Sequence, residues 1–232
     1  MQVINVKQGS EEWHDLRCGL ISASRFKDIM TEPRAKKDKD LGLMSATAKS
    51  YLYELCAEIV TGQIKDIKAP ALDWGNDHEQ SALDEYADWY DIDTGSTGII
   101  INDEGTIGGS PDALCAEFSD GGMGEVKCPF NTTNHIRNVS EGMDKDHLPQ
   151  VQGNMMINGR KWCDFISFDP RITGKGRLYV QRIERDEDYI SELTIKINKF
   201  LIELKRVLRE EFDIDWKGVD VEAIKTKHNL GD

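Results

Sequence analysis

Apolar positions along the chain recur first at helical spacing and then at strand spacing. Ser10-Glu11-Glu12-Trp13 reads as a capped helix start, and a second short helical segment is predicted around Ser22 to Met30. Residues 31–43 are polar and Lys-rich and read as a loop. Ser45 can cap a helix that runs through Tyr51, Leu55 and Ile59 to a stop at Gly62. A further helix, from about Leu72 to Tyr90, places Leu83, Tyr86, Ala87 and Tyr90 on one stripe, with Glu79 about one turn before Leu83. The period then drops to two. Short runs at 98–102, 106–108, 113–116 and 124–128 are separated by Gly- and Asp-rich turns such as 119–122, and together predict an antiparallel meander. After Pro129 come helices at about 132–140 and 147–159, strands at 162–168 and 177–184, and a long helix from Asp186 to about Phe212. Its apolar stripe is Leu193, Ile197, Phe200, Leu204 and Leu208. Order and lengths predict one domain of the α+β kind over residues 1–218, a mixed central sheet flanked by helices. Residues 219–232 form a C-terminal extension of mixed charge that could frame an interface, meet a partner or fray.

Composition keeps this picture and narrows the setting. With 39% hydrophobic and 31% charged residues among 232, the chain is that of a folded globular protein. Its five cysteines are scattered, with no C-x-x-C pair, which supports neither a disulfide scaffold nor a structural zinc site and fits a reducing cytosol. No export signal or bilayer-length apolar run stands out, so the expectation is a cytoplasmic protein with no membrane partner.

Net charge of −13 argues at first against a polyanionic partner, but its distribution changes that reading. From Asn76 through Val126 there are thirteen acidic residues and no Lys or Arg, so this stretch carries the whole excess. Arg25 to Lys49 holds seven basic against four acidic residues, and Asn158 to Arg185 seven against three. Segregated charge allows an anion to be held on one face and repelled from another.

Within the acidic stretch, Asp112 follows Ser110-Pro111 at a strand entrance, and Glu125-Val126-Lys127 opens the next strand. Side chains alternate along a strand, so Glu125 and Lys127 share a face while Val126 points the other way. A hairpin between the two segments would bring Asp112 beside Glu125. Two carboxylates without Cys or His are hard oxygen ligands, suited to Mg²⁺ or Mn²⁺ that also binds substrate phosphate. Lys127 could orient or deprotonate a water, or stabilise charge growing on a phosphate. An Asp followed by Glu-x-Lys is the pattern of the PD-(D/E)-x-K nucleases; an exposed cross-strand ion pair would give the same short motif. Glu79 and Gln150 fall on flanking helices where they could complete a metal site.

The chain also resembles lambda-type exonucleases and their relatives among the YqaJ-type viral recombinases. The resemblance is carried by Trp13 to Arg17 with Gly19, Ile21 and Ala23-Ser24; by Pro33-Arg34; by Ala71-Leu72 with Trp74-Gly75 and Glu79; by Cys115 beside Ser110 to Leu114; by Glu125 with Lys127 to Phe130; and by Gln150 to Gln152, Asp169 to Arg171 and Ile183 to Glu187. It implies a restriction-endonuclease-like core and a metal-dependent exonuclease that digests one strand of linear duplex DNA from its 5′ end to mononucleotides. A 3′ single strand would remain for annealing in phage or prophage recombination. By resemblance, Asp112, Glu125 and the carbonyl of Val126 hold metal, Glu79 serves a second ion, and Lys127 and Gln150 act near the attacking water. Arg17, Ser24 and Arg34 resemble the residues that hold the terminal 5′ phosphate, Ser110 would sit beside the scissile phosphate, and Leu72 resembles the wedge that parts the terminal base pair. Implied partners are duplex ends with a 5′ phosphate, two Mg²⁺ per site with Mn²⁺ as substitute, a ring-shaped homotrimer and a single-strand annealing recombinase. An endonuclease, an exonuclease of opposite polarity, or an acidic DNA mimic that occupies a basic partner are the rival readings.

Overall fold

A computed structural model describes residues 1–64, 69–95, 98–115 and 121–231. Strand β1 (Gln2–Ile4) leads to helix α1 (Glu11–Arg17), whose N-cap Ser10 accepts from the Trp13 N–H. Strand β2 (Ile21–Ser22) enters a single 3-10 turn and then α2 (Phe26–Met30). The stretch expected as a Lys-rich loop contains a short helix, α3 (Lys36–Asp40), with no buried residue. Its lysines favour helix locally, and no apolar stripe was there to announce it. Helix α4 (Ala46–Thr61) is capped by Ser45, whose hydroxyl accepts from the Ala48 N–H, and ends at Gly62 in the left-handed region.

Helix α5 (Pro70–Tyr90) buries Ala82, Leu83 and Tyr86. Tyr90, expected on that stripe, is exposed at the helix's last residue, where its ring lies 5.2 Å from that of the buried Tyr86. Five strands follow: β3 (Thr94–Gly95), β4 (Ile99–Ile101), β5 (Ile107–Gly109), β6 (Ala113–Cys115) and β7 (Gly122–Lys127). Of the turn expected at 119–122, Ser119 and Asp120 lie outside the described residues. Next come α6 (Thr132–Glu141), α7 (Leu148–Asn158), β8 (Trp162–Phe168), β9 (Leu178–Glu184), the 26-residue α8 (Glu187–Phe212) and α9 (Val221–His228).

The strands do not form one meander. β1-β4-β5-β2 make one sheet and β3-β6-β7-β8-β9 another, so the chain changes sheet between β5 and β6, at Ser110-Pro111-Asp112. Proline cannot donate to a ladder, which makes this a natural place for β5 to stop pairing. The second sheet is mixed: β6/β7 and β8/β9 are antiparallel, while β7/β8 are parallel and are joined by α6 and α7. Its two faces are covered by different helices. Val126 and Cys128 pack with Ala82, Leu83 and Tyr86 of α5, whereas Met123 packs with Val151 and Met155 of α7. Glu125 and Lys127, in phase with Met123, therefore face α7. The stripe of α8, from Leu193 to Leu208, is fully buried against α2 and α4. At about 1.5–3 kcal/mol per fully buried large apolar side chain, α8 is a main source of stability.

The last segment packs back onto the first. Val219 N–H donates to the Gly105 carbonyl at 2.7 Å, and Val221 is buried in the cluster that holds Trp13 and Leu16. His228 Nε2 and Lys227 Nζ meet the Asp15 carboxylate at 2.7 and 2.5 Å. All five cysteines are free thiols.

Candidate active site

Asp112 is tied to β7 on both sides of Glu125. Its backbone N–H donates to the Gly124 carbonyl at 3.2 Å, and its Oδ2 accepts the Val126 N–H at 2.6 Å. The hairpin pairing of Ala113 with Gly124 sets this placement, so the two carboxylates of the motif are neighbours by register. Glu125 is only 1% exposed. Its Oε1 accepts from Lys127 Nζ at 2.6 Å and from Gln150 Nε2, and its Oε2 from Asn154 Nδ2 at 3.3 Å. Gln150 and Asn154 lie one turn apart on α7, the helix toward which the Glu125 face points.

Charges here are out of balance. Burial, and then the charge of Glu125, push the Asp112 carboxyl well above the usual carboxylate range, and Lys127 offsets only part of this. Burial and Glu125 likewise raise Glu79. For Lys127, burial works against the charge, but Glu125 and Asp112 together outweigh it and hold the ammonium pKa above its usual value. Lys127 is therefore an ammonium at neutral pH, suited in this arrangement to donating hydrogen bonds and stabilising negative charge rather than to taking a proton. Three acids share one cation, so the cluster is suited to accept further positive charge.

A cleft of about 280 Å³ opens over these groups, and it unites most of the residues singled out in the sequence. Asp112, Glu125, Val126, Lys127, Gln150, Glu79, Ser110, Leu72, Arg17 and Ser24 all line it. Arg34 does not: it is exposed, between buried Pro33 and α3. Leu72, half exposed near the start of α5, stands at the lip. Arg17 comes from α1, its guanidinium 4.5 Å over the Trp13 ring and bonded to the Ser22 hydroxyl at 3.2 Å. Ser22 in turn shares a 2.6 Å hydrogen bond with Ser24. Burial pulls the Arg17 pKa below its usual value, yet a guanidinium stays charged, and among the described residues it makes no ion pair. Trp13 Nε1–H donates to Ser110 Oγ at 3.2 Å, which ties the α1 wall to the turn before Asp112.

Three residues of this site carried no role in the sequence reading. Asn154 was signalled only by its four-residue spacing from Gln150, which puts both on one helix face. Ser22 and the indole N–H of Trp13 had no local signal, because their partners lie elsewhere in the chain. Just past the end of β8, Arg171 grips Asp169 at 2.8 Å through Nε and through NH2, reaches the Pro129 and Phe130 carbonyls, and stacks 4.4 Å over Trp74. This brace holds the chain where it leaves Lys127.

Asp112, Glu125, Glu79 and the Val126 carbonyl are the oxygens available to a metal. Among the described residues no group of three His, Cys, Asp or Glu side chains is placed to hold an ion by itself. The donor chemistry nonetheless fits Mg²⁺, which keeps several waters and takes one or two carboxylates together with substrate phosphate.

A mixed sheet with α5 on one face and α7 on the other, carrying Asp112, Glu125 and Lys127 in a cleft, defines the restriction-endonuclease-like fold. The description of the YqaJ-like viral recombinase domain matches residues 12–161, more than half of the chain, and the chain belongs to this family. The crystal structure of an alkaline exonuclease, LHK-Exo from Laribacter hongkongensis, is similar to it at 30% identity, over 95% of this chain and 98% of that chain, with a TM-score of 0.75. The same protein in complex with dAMP gives a TM-score of 0.74 at the same identity and coverage. A phage related exonuclease from Haemophilus somnus 129PT shares the fold at 20% identity, over 82% of this chain and 96% of that chain, with a TM-score of 0.68. A comparison with curated proteins returned no match. Among the described residues no helix is long and apolar enough to cross a membrane. The family supports a nuclease acting on DNA.

Proposed function

We propose that the protein is a Mg²⁺-dependent exonuclease that digests one strand of linear duplex DNA from its 5′ end, releases mononucleotides and leaves a 3′ single strand for annealing-type recombination. One observation carries the reading: a single cleft holds an acid cluster with one lysine at one place and, at another, the Arg17–Ser22–Ser24 chain, a guanidinium beside two hydroxyls that makes no ion pair among the described residues and feels Glu58 only at longer range. The second group suits a terminal phosphate, which a guanidinium grips with two N–H donors. Asp112 and Glu125, with the Val126 carbonyl, would hold one Mg²⁺, and Glu79 would serve a second. When bound, the metal supplies Lewis-acid stabilisation of charge on the phosphodiester. Lys127, fixed on Glu125 and protonated, orients the attacking water or stabilises the developing phosphate charge. Gln150 holds Glu125 and faces the same space. Ser110 donates or accepts beside the scissile phosphate, its direction set by Trp13. Leu72, exposed at the lip, serves as the wedge between terminal bases. Arg34, outside the cleft, would reach the 5′ phosphate or the backbone next to it only once duplex is bound. That LHK-Exo has been crystallised with dAMP, a deoxynucleoside monophosphate, supports mononucleotides as products. A ring-shaped homotrimer around the duplex, a single-strand annealing partner, and a phage or prophage setting in the bacterial cytoplasm complete the proposal.

The test is digestion of linear duplex with or without a 5′ phosphate, in Mg²⁺ or EDTA, by wild type and by Lys127→Ala. The expected result is Mg²⁺-dependent loss of the 5′-ended strand, faster with the phosphate and absent in the variant. Loss of the 3′-ended strand would keep the site and refute the assignment of Arg17 and Ser24. Intact DNA in every condition, from folded protein, would refute the nuclease.

A further inference from the structure

Glu125 receives three side-chain N–H groups, and the third of them sits under an unusual constraint. Asn154 is 2% exposed, and its Nδ2 donates to Glu125 Oε2 at 3.3 Å. A carboxylate accepts only, so this bond fixes which way the amide faces. Asn154 Oδ1 then points away from Glu125, and it is buried without a hydrogen-bond partner. A buried acceptor left unpaired is unfavourable, and an apolar side chain of similar volume would avoid it. The packing of α7 on the sheet is made by its neighbours Val151 and Met155, which leaves the amide of Asn154 without a packing role that Leu or Met could not fill.

Gly109 supplies the space. A Cβ placed on it would lie 2.1 Å from Asn154 Oδ1 and 3.2 Å from the Ala23 Cβ. Both residues line the cleft. The amide can therefore reach Glu125 only because β5 carries no side chain at 109; any larger residue there would drive Asn154 off the carboxylate.

We propose that Asn154 is a positioning residue for Glu125, seated by the missing side chain of Gly109, and that this pair sets how tightly the carboxylate cluster takes a divalent cation. The inference rests on the metal-nuclease reading above. Partners that hold a ligating carboxylate from behind fix its orientation, and losing one weakens metal binding about 10–100-fold.

The experiment is calorimetric titration of the full chain with Mn²⁺ in the absence of DNA, as a double-mutant cycle on Asn154→Ala and Gly109→Ala. Asn154→Ala is expected to weaken Mn²⁺ binding about 10–100-fold. Gly109→Ala is expected to weaken it as well, although Gly109 does not touch Glu125. On the Asn154→Ala background, where Oδ1 is gone, Gly109→Ala is expected to add little further loss of Mn²⁺ binding, because the 2.1 Å clash is removed and only the 3.2 Å contact with the Ala23 Cβ, which does not touch Glu125, remains. Single-turnover cleavage by Asn154→Ala should recover as Mn²⁺ is raised, since the defect is in affinity. Unchanged Mn²⁺ affinity in folded Asn154→Ala, or fully additive losses in the double variant, would overturn the inference while leaving the nuclease reading intact. Wild type that cleaves DNA in EDTA and binds no Mn²⁺ would overturn the metal reading and this inference with it. Should Asn154→Ala fail to fold, Asn154→Ser also removes Oδ1 and takes its place in the cycle.

Discussion

At the scale of single residues, the site is a set of charges placed where each needs another. Lys127 is bonded to Glu125 and stabilised electrostatically by Asp112, so its loss removes the cation that compensates two buried acids and, in the proposed reaction, a donor to the substrate. Lys127→Met is expected to lower the cleavage rate by about 10²–10³ in Mg²⁺, and to cost the metal-free protein about 1–3 kcal/mol at neutral pH, read from urea unfolding in EDTA. Asp169 shows the opposite electrostatics. Burial alone would raise its pKa, but the side-chain and backbone donors of Arg171 hold it down to about 2. An acid whose pKa is depressed in the folded state stabilises the fold above its unfolded pKa, about 3.9, and that contribution disappears as pH falls towards 2. Because Arg171 is partly exposed, solvent screening limits the effect to about 1–2 kcal/mol. Asp169→Asn should therefore lose this stability at pH 7 and approach wild type below pH 3, measured by urea midpoints across that range. An unchanged pH 7 midpoint would show that the Arg171 brace adds nothing.

At the scale of elements, α7 decides whether the acids have donors at all. It lies against α2 so closely that a Cβ on Gly153 would come within 2.3 Å of the Phe26 ring. Gly153 sits between Gln150 and Asn154, so the glycine that lets α7 approach α2 also sets the depth at which both amides meet Glu125. Gly153→Ala is expected to cost about 1–3 kcal/mol from overpacking and to lower cleavage more than the stability loss explains, because both donors withdraw together. Thermal melts alongside rates at a temperature where the variant is fully folded separate the two effects. Most elements could be read from spacing alone: α4 between its Ser45 cap and Gly62, α8 with its buried stripe, and β8 and β9 at their expected positions. Spacing failed where pairing was decided at a distance. Ile99–Ile101 and Ala113–Cys115 look alike as short apolar runs, but they belong to different sheets, because the partner of the first is β1, about a hundred residues earlier in the chain. Helix α3 failed for the opposite reason: it buries nothing, and so leaves no apolar trace.

For the whole molecule, the uneven distribution of charge governs how a polyanion could approach. The acidic stretch from Asn76 to Val126 contains the cleft carboxylates, whereas Arg34, Lys36, Lys37 and Lys39 stand exposed on the segment that carries α3. If these lysines contact the duplex backbone, binding releases counterions, and log affinity should fall with log salt at a slope of about −0.9 per phosphate contacted. Triple replacement of Lys36, Lys37 and Lys39 by Ala is expected to flatten that slope by up to about three contacts' worth, measured by DNA binding in Ca²⁺ between low and moderate salt. An unchanged slope would place the backbone contacts elsewhere, with the 158–185 stretch next to be tested.

The sequence by itself determined most of the elements and singled out most of the residues that the cleft gathers. Capping residues, apolar periods and the Asp112, Glu125 and Lys127 pattern are local, because a cap, a stripe and a strand face each depend on residues within a few positions of one another. Only the tertiary structure decided what surrounds those residues. It brought Arg17, Ser22 and Trp13 from α1 and β2 into the same cleft as Glu125, left Arg34 outside the cleft, and placed Asn154 and Gly109, forty-five residues apart, in mutual contact. Such contacts depend on how two sheets and a helix settle against each other at close packing, where the presence or absence of one Cβ determines which side chain can reach a carboxylate, and no spacing along the chain records that.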